Sequence, residues 1–257
     1  MKRIMQSLFI AMSIGLGGLL MNSTISEEGH EAVLDSIVES IEIVESCSEK
    51  CRDCVFYPIS KNQALRSDYV PRDIVGSGLN GGQEVSERIQ KPLHDLFEKA
   101  TELGVNMKIN SGYRSYETQN QLFYYYVWNE QQANPGISYD DAIAKANVYS
   151  AKPGHSDHQL GYTVDVACST CDSFKLDEKN KPVYEFLENY ANDFGFVISY
   201  PDETTDQTGY KYEPWHIRYI GIKRATEYKQ INEGREVKIP LEEYLDELCS
   251  IHENNLM

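Results

Sequence analysis

Ser156-Asp157-His158-Gln159-Leu160-Gly161-Tyr162-Thr163-Val164-Asp165 is the stretch that decides how this chain is read. Its second half alternates as a strand does. Tyr162, Val164 and Val166 fall on one face, Thr163 and Asp165 on the other. A histidine and an aspartate are donors of the kind that hold zinc. They stand seven positions apart, an odd number, so one unbroken strand would aim them at opposite faces. Gly161 lies between them and permits a turn that brings Asp165 back toward His158. Taken alone, such a pair is more often a surface histidine and a strand-end carboxylate.

The segments around this strand have their own periods. Residues 84–103 place Val85, Ile89, Leu93, Leu96, Phe97, Ala100 and Leu103 on one stripe, which predicts a helix stopped by Gly104. A short strand over 107–110 then runs into the turn Ser111-Gly112-Tyr113-Arg114-Ser115. A Tyr-rich helix follows from 116 to about 132, and its aromatics at 123–126 are read as packing residues. A helix over 182–194 closes at Gly195, and a strand over 196–200 ends at Pro201. A turn-rich stretch leads into 212–219, and Pro240 opens a last helix with Leu241, Tyr244, Leu245 and Leu248 on one face. The sum is an α+β fold, with helices flanking a small, mostly antiparallel sheet.

Glu213-Pro214-Trp215-His216 is the second chemical constellation. Pro214 biases Glu213 toward an extended conformation and against helix, which separates the tetrapeptide from helical His-Glu-x-x-His metal motifs. A glutamate and a histidine held together at such a corner can supply a general base and a metal ligand. In isolation the same four residues read as a half-buried histidine with a capping glutamate.

Bulk properties narrow the class. A chain of 257 residues suits one catalytic domain with short extensions. Its net charge of −16, from 24 basic and 40 acidic residues, excludes a nucleic-acid partner, because no surplus of cations exists to displace counterions from phosphates. Residues 1–26 combine Lys2 and Arg3 with an uncharged apolar run, as a signal peptide or N-terminal membrane anchor does, so the remainder is expected to be exported. Residues 27–46 hold seven acidic residues and no Lys or Arg, with apolar positions at helical spacing. The expected layout is a targeting segment at 1–26, an acidic helical spacer with a cysteine cluster at 27–56, a catalytic domain at 57–250 and a tail at 251–257. The six cysteines, Cys47, Cys51, Cys54, Cys168, Cys171 and Cys249, suit disulfides in an oxidising compartment. Their pairing stays open, and a four-thiolate zinc site built from the two C-x-x-C pairs is the alternative.

The strings SGYRSYETQ, PGHSDHQLGYTVDV and TGYKYEPWHIRYIG, in that order, resemble the VanY-type D-alanyl-D-alanine carboxypeptidases. That family of zinc peptidases also includes L,D-carboxypeptidases and D,D-dipeptidases. The resemblance spans about residues 57–248 and implies the small α+β fold of those enzymes. It implies one zinc ion per chain on His158, Asp165 and His216, with Glu213 as general base and Arg114 facing the substrate carbonyl. Ser156, Gln119 and Tyr200 match positions that contact the end of the substrate. The implied partners are peptidoglycan stem peptides, with membrane contact only through the N-terminal segment. The implied reaction is removal of the terminal D-Ala from pentapeptide stems. L,D-cleavage of tetrapeptides is the alternative, and a non-catalytic wall-binding module is a further one. Three departures stand out: Tyr162-Thr163 sit where a small residue is usual, Asp157 replaces a commoner Glu, and Ser199 replaces a commoner Arg. His155 is read as a loop residue, not a ligand.

Overall fold

The computed structural model describes Cys47, Cys51, residues 53–171 and residues 174–254. The expected targeting segment and acidic helix lie outside these residues. A two-stranded hairpin comes first, β1 (Ile74–Gly76) against β2 (Glu84–Ser86). There follow α1 (Glu87–Glu102), β3 (Met107–Ser111), α2 (Tyr116–Ala133), α3 (Tyr139–Ala146), β4 (Thr163–Cys168) and α4 (Lys181–Tyr190). The chain ends with β5 (Phe196–Ile198), β6 (His216–Tyr219), α5 (Ile222–Asn232) and α6 (Leu241–Asn254). This is the α+β architecture that the patterning predicts.

The sheet that carries the site has the order β3-β4-β6-β5, and every neighbouring pair is antiparallel. Its register sets one row of residues across three strands: Ser111 opposite Asp165, and Asp165 opposite His216. An irregularity between Ile109 and Ser111 brings Ser111 into that row. Val164 and Val166, on the other side of β4, join Ile109 and Ile217 in the core against Ile89, Leu93, Leu96 and Ala100 of α1. Thr163 and Asp165 are buried as well, so β4 is covered on both faces. Serines cap the helices that lead to the site. Ser86 accepts from Arg88 N, Ser115 from Thr118 N and Ser138 from Asp141 N.

Several boundaries differ from the sequence expectation. The helix expected over 84–103 begins at Glu87, because 84–86 pair with β1 and Ser86 serves as the N-cap. The strand expected over 196–200 ends at Ile198, and only His216–Tyr219 of the expected 212–219 pairs in the sheet. The helix expected over 182–194 is α4 followed by a 3-10 turn, Ala191–Phe194. α3 and α5 are short and were not anticipated.

The cysteine cluster assigned to the spacer is part of the domain. Cys47 pairs with Cys54, Cys51 with Cys249, and Cys168 with Cys171. That pairing rules out the four-thiolate zinc alternative. Cys47, Cys51, Cys54 and Val55 are core residues. Arg218 of β6, itself 2% exposed, donates through Nη2 to the carbonyls of Val55 (3.1 Å) and Tyr57 (2.7 Å). The Cys51–Cys249 bond closes a loop of 198 residues around the whole domain. Replacing Cys51 and Cys249 together by Ser should lower unfolding stability by about 2–5 kcal/mol, read as a lower urea midpoint at constant slope. An unchanged midpoint would show that the bond contributes nothing to folding.

Candidate active site

A cavity of about 530 Å3 opens above the Ser111–Asp165–His216 row. Its floor and walls include Arg114, Ser156, Asp157, His158, Asp165, Tyr200, Tyr210, Glu213 and His216. Two short turns deliver the chemistry. Asp157–Leu160 form a 3-10 turn closed by Gly161 at φ 79°, a left-handed conformation that L side chains adopt only with strain. The reversal expected of Gly161 therefore occurs, and His158 and Asp165 face each other across it. A Cβ on Gly161 would also come within 2.8 Å of the Ile74 side chain. The second turn is Glu213 to His216, closed by His216 N donating to Glu213 O at 3.0 Å, with Pro214 at its first corner. It sets Glu213 Oε2 3.7 Å from His216 Nδ1.

Each ring nitrogen has a defined partner. His158 Nδ1 lies 2.7 Å from the Gly112 carbonyl, an acceptor that requires the proton there and leaves Nε2 free. Gly112 can present that carbonyl because its backbone packs on β2, where a Cβ would stand 2.2 Å from Glu84 O. His158 Nε2 is 3.2 Å from Asp165 Oδ2, and His216 Nδ1 is 3.0 Å from Asp165 Oδ1. The other nitrogen of His216, Nε2, lies 2.9 and 3.1 Å from the two oxygens of Asp157. The two imidazole rings stand perpendicular, 5.0 Å apart.

Burial and charge divide these groups. Burial alone would lower the His216 pKa, but Asp157 and Asp165 prevail and raise it well above the usual imidazole value. Burial lowers His158, helped by Arg114 and opposed by Asp165. Burial would raise both buried aspartates, yet His216 and Arg218 hold Asp157 below the carboxylate range, and His158 and His216 do the same for Asp165. Burial pushes Glu213 up to about 8, against the pull of His216 and with added repulsion from Asp165 and Asp157.

Two sets of donors could hold a metal ion. Among the described residues, Asp157, His158 and His216 bring ligating atoms within 4.8 Å of one another. Asp165 touches both imidazoles as well. The sets share the histidines and differ in the carboxylate. Asp157 is already committed to His216 Nε2 and lies 3.4 Å from the Ser199 hydroxyl. Asp165 Oδ1 is buried without a hydrogen-bond partner although His216 Nδ1 is close, so the ring N–H is not aimed at it. Atoms that approach without bonding share a third target. Donors on one zinc ion at about 2.0–2.1 Å stand roughly 3.3 Å apart, which suits the Asp165 contacts. Two imidazoles and a carboxylate also fit zinc by donor type.

The remaining sequence candidates divide. Arg114 lines the cavity with Nη2 3.9 Å from Asp165 Oδ2, tied to Ser111 Oγ at 2.8 Å. Ser156 and Tyr200 line it too, and the Tyr200 ring packs on Tyr210 and His216. Gln119 does not line the cavity. It is buried, accepting from Arg114 Nη1 and donating to Ala151 O, both at 2.5 Å. It therefore touches Arg114 where substrate contact was expected. His155 is a loop residue held to Ser60 O, as its sequence reading has it. Sequence reasoning gave no role to Asp157, whose place beside His158 was its one signal. Nor did it mark Tyr126 or Tyr210 as cavity residues. The buried Tyr210 hydroxyl has no partner among the described residues.

The two donor sets make opposite predictions. Asp165→Asn should abolish stoichiometric metal binding, while Asp157→Asn should retain the metal with affinity weakened about 10–100-fold, as loss of an outer-shell partner does. Metal content after dialysis and a chelator competition titration read both; the reverse ranking would move the ligand role to Asp157.

The D-alanyl-D-alanine carboxypeptidase family VanY matches residues 82–222, a span that contains every cavity residue named above. A D-alanyl-D-alanine carboxypeptidase of Enterococcus faecalis is 37% identical over 174 residues, which is 68% of this chain and 60% of the relative. This chain thus spans less than two thirds of that relative's length. VanYB in complex with D-alanine-D-alanine has a similar structure, with TM-score 0.64 and 32% identity, over 76% of this chain and 98% of that one. The vancomycin resistance D,D-pentapeptidase VanY from a VanB-type cassette, in complex with Zn(II), superposes with TM-score 0.63 and 31% identity, over 75% and 99%. Fold, ordered motifs and the matched span agree: the chain belongs to the VanY family of D-alanyl-D-alanine carboxypeptidases.

Proposed function

We propose that the chain is a zinc-dependent D-alanyl-D-alanine carboxypeptidase that removes the terminal D-Ala from peptidoglycan stem pentapeptides. The observation that carries this reading is the convergence of both imidazoles on Asp165, with Glu213 beside them in an open cavity. His158 Nε2, His216 Nδ1 and an oxygen of Asp165 would hold the ion. When bound, zinc supplies a Lewis acid that makes water nucleophilic near neutral pH. Asp157 would fix the ring of His216 through Nε2, as an outer carboxylate does for a metal-ligating histidine.

Glu213 is the proton carrier. Burial pushes its carboxyl up to about 8, so it can both take up and give back a proton near neutral pH. It takes the proton from the attacking water and returns it to the amine of the departing D-Ala. Arg114, clamped by Ser111 and Gln119, faces the scissile carbonyl and stabilises the charge that develops on its oxygen. Gln119 acts through Arg114. Ser156, Tyr200 and the free Tyr210 hydroxyl line the wall that would receive the terminal residue.

An exported location belongs to the same proposal. The basic and then apolar start of the sequence supports it, and so do three disulfides, which persist in oxidising compartments. Any membrane contact would fall to the N-terminal segment. Among the described residues no helix is long and apolar enough to cross a membrane.

Mass spectrometry of pentapeptide and tetrapeptide muropeptides, with and without chelator, tests the reading. Loss of one D-Ala from the pentapeptide, abolished by chelator, is expected. Cleavage of the tetrapeptide alone would instead establish L,D-specificity. Glu213→Gln should lower kcat by about 10²–10⁴-fold with metal content retained; full activity would identify another base. Zinc uptake also has a pH signature. Asp157 and Asp165 favour the protonated form of His216, so protons compete with the ion there and zinc affinity should rise with pH, with proton release accompanying uptake. Binding without proton release would contradict the assignment of His216.

A further inference from the structure

α2 does more than close the cavity. Leu122 and Tyr126 of this helix line it, together with Tyr149. From there a chain of ring contacts leads outward. Tyr149 meets Tyr126 edge to face at 5.3 Å, Tyr126 meets Tyr125 at 5.8 Å, and Tyr125 stacks on Trp128 at 6.2 Å with the planes 25° apart. The last two rings face solvent, Tyr125 at 56% exposure and Trp128 at 54%. Helical geometry accounts for the course. Positions 122, 125 and 128 step by three, so the stripe winds off the cavity face toward the outside.

Adjacent large aromatic rings exposed together, unlike singly exposed ones, mark an interaction site. Here the surroundings indicate which partner. Residues 116–133 contain no Lys or Arg, and amides dominate the polar positions, among them Asn120, Gln121, Asn129, Gln131 and Gln132. Gln121, Asn129 and Gln132 follow the Tyr125–Trp128 stripe at helical spacing, with Gln121 bonded to Glu117. Flat π faces near such amides suit a pyranose ring, whose C–H face lies on an aromatic while its hydroxyl and acetamido groups bond to polar side chains. A membrane surface fits poorly, because anionic lipids attract basic residues and this helix has none in a chain of net charge −16.

We infer that Tyr125 and Trp128 form a platform for the sugar strand to which the stem peptide is attached, continuous with the peptide cavity through Tyr126. The inference rests on the peptidase reading and extends its substrate beyond the peptide. Reach is adequate. An extended stem of about five residues spans at most ~17 Å, and the platform lies two ring contacts from the cavity wall. The sugar adds binding energy remote from the reacting bond, which orients the peptide before cleavage.

The test compares kcat/KM for a free pentapeptide and for the same pentapeptide carrying an N-acetylglucosamine–N-acetylmuramic acid disaccharide. The wild type should favour the sugar-linked substrate by about tenfold, the equivalent of two modest stacking contacts. The double variant Tyr125→Ala/Trp128→Ala should lose that preference; both side chains are exposed, so the fold does not depend on them. A wild type without preference, or a double variant that keeps it, overturns the inference. A second readout is independent of turnover. Titrating metal-free protein with chitotetraose should shift tryptophan emission in the wild type and not in Trp128→Phe. Sugar binding without hydrolysis of either substrate would leave the platform standing and reject the peptidase reading. Binding to phospholipid vesicles but not to chitotetraose would replace the sugar by a membrane.

Discussion

Three carboxylates and two imidazoles share one buried corner, and the rest of the structure follows from keeping them together. Asp157, Asp165 and Glu213 would repel one another in a medium that solvates charge poorly. The corner is held because each acid faces a different neighbour. Asp157 takes the outer nitrogen of His216, Asp165 sits between both rings, and Glu213 stands apart at 3.7 Å, its carboxyl pushed up by burial. A bound dication would lower the repulsion further. This is a site whose geometry is set by backbone register.

Backbone register, not side-chain packing, does the positioning. Asp165 and His216 are opposite each other in neighbouring strands, and Ser111 is next in the same row. The two turns that flank the row are stiff for different reasons, a left-handed glycine in one and a proline corner in the other. Behind them Arg218, fully buried in β6, ties the same strand to the segment after Cys54. The electrostatic centre and the disulfide-rich N-terminal turn are therefore one mechanical unit, although about 160 residues separate Val55 from Arg218 in sequence.

Much of this was legible in the chain itself. Strand alternation over 162–167 and the glycine at 161 allowed His158 and Asp165 to face each other, the ordered motifs together made them ligands, and Pro214 marked the second turn. What stayed hidden had little pattern to show. β2 was absorbed into the following helix because Val85 falls on the same apolar stripe, and three residues are too few to display a period of two. α5 buries only Ala225, Tyr228 and Asn232, a stripe too thin to stand out from its charged neighbours. Asp157 resembles any surface acid until its burial is known. In the Tyr-rich run of α2, adjacent rings serve the core, the cavity and the solvent face, and composition does not separate those uses.

The bond between Cys51 and Cys249 joins the two ends of the folded unit, with every residue of the catalytic row inside the ring it makes. A polypeptide closed in this way behaves differently from a linear one when a protease nicks an exposed loop. One cut opens the ring into a single connected chain, whose new termini remain tethered through the core, and no fragment can diffuse away. Release of a fragment then requires a second cleavage on the same molecule.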